Sequence, residues 1–140
     1  MTASKYNSEG YYDPTTYEAL SRIEREERAA RYRPLVYICS PYSHGCINTN
    51  IENARKYSRF AVDRHCLPIT PHIYFTQFMD DTVSEDRETA IFMNFVLMSK
   101  CVELWVFGDT ISAGMKAEIE RAERKHMKIR YFTEELEEKE

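Results

Sequence analysis

The chain has 140 residues, of which 43% are hydrophobic, and its formal net charge is −4. A chain of this length can bury a core without metal or disulfide cross-links, so we expect one globular domain. The negative charge disfavours a nucleic acid polymer as partner, because such binding depends on neutralising phosphates. No run of about 18 apolar residues and no apolar signal core occurs, which predicts a cytoplasmic protein without membrane partners.

Cysteine and histidine spacing argues against a metal site. The four cysteines are widely separated and form no CxxC pair, and no HxxxH pattern occurs. Three of the cysteines lie in or beside apolar runs, so we expect buried thiols rather than disulfides or zinc ligands. Neither GxGxxG nor GxxxxGK[ST] is present, which disfavours dinucleotide and P-loop chemistry. We therefore expect no metal and no cofactor. The four thiols belong to Cys39, Cys46, Cys66 and Cys101.

The N-terminal part of the chain predicts an arm followed by a polar helix. Residues 1–13 carry turn formers and tyrosines, typical of a flexible or docking arm. Asp13 and Pro14 are suited to the N-cap and first position of a helix that runs to Arg33. Its apolar stripe is thin and its charges are mixed, with pairs such as Glu24 and Arg28 four residues apart. We expect a solvated helix that packs by one edge, on the domain or on another subunit.

Four apolar runs further along predict strands, and helical patterns separate them. The strands are expected at 35–39, 67–70, 104–107 and 127–132, and the helices from a cap at Asn48 or Asn50 to about 62, over 85–100, and from 112 to about 122. This β-α-β-α-β-α-β order predicts a mostly parallel sheet with helices on both faces. Residues 34–132 would form the domain. The acidic residues 133–140 predict a solvated end or a short helix.

Right-handed crossovers would bring three polar segments to one edge of that sheet. The segments are 40–43, 70–75 and 108–115, and each follows a predicted strand. They contain hydroxyls, aromatic rings, a histidine, an aspartate and the start of a helix. This mixture suits a small polar ligand with a flat ring and a phosphate. Trp105 lies inside an apolar run and is expected in the core rather than at a ligand.

Glu118 is the candidate catalytic carboxylate at this edge. Ser112 is suited to cap its helix, and Glu118 shares a stripe with the small residues Gly114 and Ala122. The side chain can therefore lean over the helix start, where the helix dipole would keep it ionised. A carboxylate there can attack the anomeric carbon of a sugar and form a glycosyl-enzyme. The alternative is a surface glutamate on an ordinary capped helix.

His72 is the second candidate, because it follows a predicted strand and a proline at the same edge. It could hydrogen-bond a base or phosphate, or transfer a proton near neutral pH. A purely structural histidine is the alternative.

Several segments together resemble the nucleoside 2-deoxyribosyltransferase-like superfamily, and a small branch of it found in Firmicutes and their phages. The similar segments are Tyr37-Ile38-Cys39-Ser40-Pro41-Tyr42, Asn50 with Asn53-Ala54, Pro68-Ile69-Thr70-Pro71-His72, and Leu104-Trp105-Val106-Phe107-Gly108 followed by Ser112-Ala113-Gly114-Met115 and Glu118-Ile119. The resemblance covers residues 34–132. It implies a flavodoxin-like, Rossmann-like three-layer sandwich with four or five strands.

The resemblance also implies roles for individual residues. Glu118, four residues after Gly114, matches the nucleophile. The nucleoside contacts of the first strand and its loop match Tyr37, Ser40, Pro41 and Tyr42, and the anion-holding turn matches Ser112 to Met115.

Where the transferases carry a second acid, on the helix before the central strand, this chain offers Asn94. Asp109, Asp80 or Asp81 could replace that acid, and His72 or Asp109 could assist the leaving base.

The resemblance thus implies an N-glycosidase or deoxyribosyltransferase-like enzyme, acting on a nucleoside, a nucleotide or a nucleotide-derived signal. If no second acid is present, the alternative is a non-catalytic binder of a nucleotide signal, such as a phage anti-defence sponge. The resemblance further implies a homo-oligomer in the cytoplasm of a bacterium or a phage-infected host. A third hypothesis is an interaction protein that assembles through the helix at 14–33.

Overall fold

A computed structural model describes residues 14–140 of the chain. The expected N-terminal arm, residues 1–13, and the expected cap at Asp13 lie outside the described residues. Tertiary contacts group residues 34–140 into one compact unit, separate from the residues up to 33. Each unit is therefore described by itself.

The first unit contributes one described helix, α1, which spans Pro14–Arg31. It is two residues shorter than the predicted helix. Glu24 and Arg28 form the expected ion pair, at 3.9 Å between the carboxylate and the guanidinium. Leu20 and Ile23 of its apolar stripe are 45% and 47% exposed. The helix is thus a polar, solvated element, as its mixed charges indicate.

The second unit is built on a parallel sheet of four strands among the described residues. These are β1 (Leu35–Cys39), β2 (Leu67–Ile69), β3 (Glu103–Phe107) and β4 (Lys128–Phe132). Their order across the sheet is β2-β1-β3-β4, with every neighbouring pair parallel. All four predicted strands are confirmed to within a residue or so at each end. The two strands with the most continuous apolar runs, β1 and β3, occupy the centre, where both faces are covered.

Helices connect the strands and cover both faces of the sheet. They are α2 (Ile47–Asp63), α3 (Pro71–Tyr74) with a 3₁₀ turn over Phe75–Gln77, α4 (Ser84–Met98) and α5 (Ala113–Arg124). Because side chains alternate along a strand, β1 sends Val36 and Ile38 to one face and Tyr37 and Cys39 to the other.

Each face of the sheet carries its own buried cluster. On one side the ring of Tyr57, from α2, stacks on Phe107 at 4.2 Å between centroids. On the other side Met98 of α4 and Met115 of α5 pack against β1 and β3. Trp105 is 2% exposed and belongs to the first cluster, so its predicted core position is confirmed. The fold is an α/β, flavodoxin-like three-layer sandwich. Along residues 14–140, each helix is too short or too polar to cross a bilayer.

Residues 133–140 differ from both predicted alternatives. They turn back and run antiparallel to β4, with a bridge between Phe132 and Glu138. The carboxylate of Glu138 pairs with Arg130 at 2.7 Å, and Lys139 donates its backbone N–H to the carbonyl of Tyr131 at 2.8 Å. The segment is neither a helix nor a freely solvated end. Basic side chains on β4 attract its acidic residues, a contact that local sequence does not reveal.

Candidate functional site

A cavity of about 590 Å³ opens at the carboxyl ends of the central strands. It lies beside the loop that follows β1 and the start of the helix that follows β3. In this strand order, the crossover connections leave β1 and β3 toward opposite faces, and open α/β sheets bind ligands at such a switch point. The volume suits a small molecule of nucleotide size. All three predicted polar segments contribute to its wall, through Ser40, His72 and Ser112 among others.

Glu118 lies in the second turn of α5, and its side chain lines the cavity as expected. Its Oε2 atom is buried and has no hydrogen-bond partner among the described residues. Burial raises the pKa of this carboxyl to about 7, although a hydrogen bond from the Tyr37 hydroxyl partly opposes the rise. Glu118 is therefore less ionised than expected from the helix dipole. Loss of hydration is the main cause of the rise, so a substantial part of the group is protonated at neutral pH.

Tyr37 contacts Glu118 and lies outside the cavity wall. The ring is 1% exposed, in the middle of β1, and it is not part of the cavity wall. Burial and the nearby charge of Glu118 raise its pKa well above the usual value, so the phenol keeps its proton and donates it to the carboxylate in a hydrogen bond. The structure does not bring Tyr37 to the cavity wall, where the predicted nucleoside contact would need it, because strand alternation turns its side chain toward the face covered by α5.

His72 also lines the cavity, at the start of α3. Its Nε2 atom lies 3.1 Å from the hydroxyl of Ser40, which is 5% exposed at the end of β1. Burial lowers the pKa of His72 to about 4, so the ring is neutral at physiological pH. A neutral imidazole can accept or donate a hydrogen bond but is a poor proton donor. The contact with Ser40 supports a hydrogen-bonding His72, and the lowered pKa disfavours the predicted proton transfer.

The loop after β1 is held in place by Asn50, on the first turn of α2. Its side-chain amide donates to the carbonyls of Tyr42 at 2.6 Å and His44 at 2.8 Å. The helix instead begins after Cys46, whose side chain makes no capping bond, so the predicted cap at Asn48 or Asn50 is wrong. The amide of Asn50 positions the loop because it bonds two of the loop's carbonyls at once. Tyr42 lines the cavity, whereas Pro41 does not.

Ser112 caps α5, as predicted. Its hydroxyl accepts a hydrogen bond from the backbone N–H of Met115 at 3.3 Å. Ser112, Gly114 and Met115 all line the cavity, so the positive end of a three-turn helix faces it. A Cβ built on Gly114 would meet no atom within 4 Å. The space beside this glycine is therefore open to a ligand that approaches the backbone.

Asn94 projects from α4 into the same cavity. Its Oδ1 atom is buried and, like Oε2 of Glu118, has no partner among residues 14–140. These two atoms are the complete set of such orphans among the described side chains. An unpaired buried acceptor costs stability, so its presence on a cavity wall points to a missing donor.

Two of the three predicted substitutes for a second acid, Asp80 and Asp109, are not part of the cavity wall. The side chain of Asp109 is 88% exposed and pairs with Lys139 at 2.9 Å. Asp80 accepts hydrogen bonds from the backbone and hydroxyl of Thr82, which lower its pKa. Asp81 does line the cavity, at its exposed side. The structure does not bring Asp109 to the cavity wall, because its carboxylate points to solvent and pairs with Lys139 of the returning C-terminal segment.

Arg87 is a lining residue that the sequence predictions omit. It is the single lysine or arginine in the cavity wall and forms no ion pair within residues 14–140. On α4 it lies one turn before Ile91 and two turns before Asn94, and both of these residues also line the cavity. The i, i+4, i+7 spacing of these three residues is the signal that could have identified it, since such positions share one helix face.

The described residues contain no cluster of three or more histidine, cysteine, aspartate or glutamate side chains that could hold a metal ion. Cys39, Cys66 and Cys101 are buried, as predicted, whereas Cys46 is exposed. Comparison with protein families matches residues 34–132 to a domain of unknown function, DUF7768. Comparison with curated proteins finds no match.

Proposed function

The chain belongs to the DUF7768 family, and from the geometry of its site we propose that it is an N-glycosidase or deoxyribosyltransferase-like enzyme. Its substrate would be a nucleoside, a nucleotide or a nucleotide-derived signal. We place the family in the nucleoside 2-deoxyribosyltransferase-like superfamily. The observation that supports this most strongly is Glu118, because its free, buried oxygen faces a nucleotide-sized cavity at the switch point of the sheet.

In the proposed reaction, ionised Glu118 attacks C1′ of the sugar with its free oxygen. A C1′–O bond forms as the bond from C1′ to the base nitrogen breaks, and the electron pair of that bond leaves with the base. Water, or a second base in a transferase, then attacks C1′ and releases the carboxylate. The hydrogen bond from Tyr37 holds the other part of the carboxyl group in place, so the attacking oxygen needs little reorganisation.

The leaving base takes its proton from water in this scheme. Asp109 lies outside the cavity wall and His72 is neutral, so neither supplies a strong acid. His72 and Ser40 instead orient the base through hydrogen bonds, since the two already form a polar pair on the wall.

Two features favour a phosphorylated substrate. The N-terminal turn of α5 presents backbone N–H groups to the cavity, where Gly114 leaves the backbone accessible. Arg87 adds a cationic group on the neighbouring helix α4, and a guanidinium binds phosphate through paired, charge-assisted hydrogen bonds. A nucleotide is therefore preferred to a nucleoside in this proposal.

A non-catalytic binder is the second candidate, and Asn94 favours it. An amide occupies the helix where the related transferases carry an acid, and the described wall adds only Asp81 as another carboxyl. A cavity of this kind could sequester a nucleotide signal without cleaving it, as a phage anti-defence sponge would. In either case we place the protein in the cytoplasm of a bacterium or a phage-infected host.

The test is to incubate the protein with ribo- and deoxyribonucleosides and their 5′-phosphates and to measure free base by chromatography. We expect release from at least one nucleotide, a loss of at least about 100-fold in Glu118→Gln, and full activity in Asp109→Asn. Equal release by wild type and Glu118→Gln would contradict the proposed catalysis. Tight calorimetric binding with the ligand recovered intact would favour the binder instead.

We further propose that the protein is a homo-oligomer that assembles through α4. Phe92 and Val96, four residues apart, are 67% and 44% exposed, and exposed apolar helix faces mark interfaces. We expect Phe92→Ser to lower the mass measured by light scattering, whereas Leu20→Ser on α1 leaves it unchanged. The reverse result would assign assembly to the helix at 14–31.

A further inference from the structure

Asn94 has a buried acceptor that the proposed reaction does not use. Its Oδ1 atom lacks a donor among residues 14–140, although the side chain lines the cavity. The free oxygen of Glu118, the other orphan acceptor, is accounted for by its attack on C1′. The described residues therefore leave one acceptor on the cavity wall that an O–H or N–H group of a ligand can satisfy.

The position of Asn94 limits which ligand group can reach it. Asn94 on α4 and Glu118 on α5 belong to neighbouring helices that are in contact, and both reach the same cavity. A group that pairs with Asn94 thus occupies the same cavity as the carbon that Glu118 attacks. The hydroxyl bonded to the carbon next to C1′ is the 2′-hydroxyl of ribose, which 2-deoxyribose lacks.

We propose that Asn94 is a specificity residue whose amide oxygen accepts a hydrogen bond from the 2′-hydroxyl, so that the site takes ribonucleotides in preference to 2′-deoxyribonucleotides. This inference rests on the proposed function, because it takes the ligand to be a nucleotide. A 2′-deoxy ligand fills the cavity but leaves the buried amide oxygen without a donor. Sites of this kind discriminate strongly, because the unpaired group keeps its full desolvation cost.

The other lining groups do not provide the same discrimination. The Ser40 hydroxyl is engaged with His72, and the Thr76 hydroxyl donates to the carbonyl of His72 at 2.6 Å. Arg87 can only donate hydrogen bonds, and so it suits phosphate rather than a sugar hydroxyl. Asn94 therefore provides the acceptor that is both buried and unengaged.

The test measures binding in a Glu118→Gln background, so that ligands stay intact. The probes are AMP, GMP, CMP and UMP, their 2′-deoxy counterparts and their 3′-deoxy counterparts, titrated by calorimetry. We expect the best ribonucleotide to bind about 10-fold or more tightly than its 2′-deoxy form, with a smaller loss for the 3′-deoxy form. Adding Asn94→Leu, which fills the volume without an acceptor, should reduce the ratio of ribo to 2′-deoxy affinity to about one.

The matched control is Thr89→Val on the same helix, outside the cavity wall, where the hydroxyl donates to the carbonyl of Glu85. It should leave the ratio unchanged, and melting curves confirm that each variant is folded. Equal affinity for ribo and 2′-deoxy ligands, or a larger loss for the 3′-deoxy form, would overturn the inference while leaving catalysis standing. If ribonucleotides bind more tightly than their 2′-deoxy forms as expected, but the wild type releases no base, the proposed enzyme is rejected and the role of Asn94 is kept. Failure of every probe to bind would overturn both.

Discussion

The hydroxyl of Tyr37, in the centre of the sheet, donates a hydrogen bond to the carboxyl group of Glu118 on the helix above it. Burial raises the pKa of Glu118 to about 7, and this hydrogen bond is the identified contact that lowers it. The strand thereby sets the fraction of Glu118 that is ionised at neutral pH. Proposed catalysis depends on that fraction, because only the carboxylate can attack.

Replacing Tyr37 by Phe removes this donor and should raise the pKa of Glu118 further. If ionised Glu118 is the nucleophile, kcat/KM at pH 6 should fall along with the ionised fraction, by about 3-fold or more, with little change at pH 9. A pH profile of base release measures this. Tyr57→Phe, in the cluster on the other face of the sheet, is the control and should leave the profile unchanged. A wild-type profile in Tyr37→Phe would contradict the assigned role.

Glu118 should make the stability of the fold depend on pH. Its pKa is raised from 4.5 to about 7 in the folded state, so its contribution is fully present below pH 4.5 and is lost as pH rises through 7. Glu118→Gln should therefore be more stable than wild type at pH 8, by on the order of 2 kcal/mol, and should match it at pH 4. Urea unfolding at the two pH values measures the difference.

The exposed Glu120 on the same helix is the control for that experiment. Glu120→Gln should show the same stability relative to wild type at both pH values. If Glu118→Gln behaved like it, the carboxyl of Glu118 would not be buried against the sheet as described.

Gly114→Ala should separate fold stability from ligand binding. The added methyl meets no atom within 4 Å, and alanine favours a helix over glycine by about 0.5–1 kcal/mol, so the melting temperature should rise. The methyl also enters the cavity beside the helix N-terminus, and nucleotide affinity should fall by about 10-fold or more. Lys116→Ala, outside the cavity wall, should keep wild-type affinity. Unchanged binding by Gly114→Ala would place the ligand away from this turn.

Much of the fold could be predicted because it follows from local patterns. Continuous apolar runs mark β1 and β3 as central strands, and the Ser112 cap marks the start of α5. The position of Glu118 on the cavity wall also follows from helix periodicity, since Gly114 and Ala122 share its stripe. Each of these signals comes from residues that are close together in the sequence.

The errors concern contacts between residues that are distant in sequence. Asp109 is drawn to Lys139 by the returning C-terminal segment, and no local pattern indicates that return. The protonation states of Glu118 and His72 depend on burial, which sequence spacing does not measure. Tyr37 lies outside the cavity wall, which the prediction missed because a family resemblance names the residue but not the direction of its side chain.

The most direct test of the central claim is to find the sugar attached to Glu118. Trypsin cleaves after Lys116 and Arg121 and releases residues 117–121, which contain Glu118 and Glu120. The protein is mixed with a nucleotide that it cleaves and is then quenched rapidly with acid. Mass spectrometry should show this peptide with the mass of the sugar phosphate added at Glu118. The adduct should persist in Glu120→Gln and be lost in Glu118→Gln. Base release with an unmodified peptide, or an adduct on Glu120, would contradict attack by Glu118.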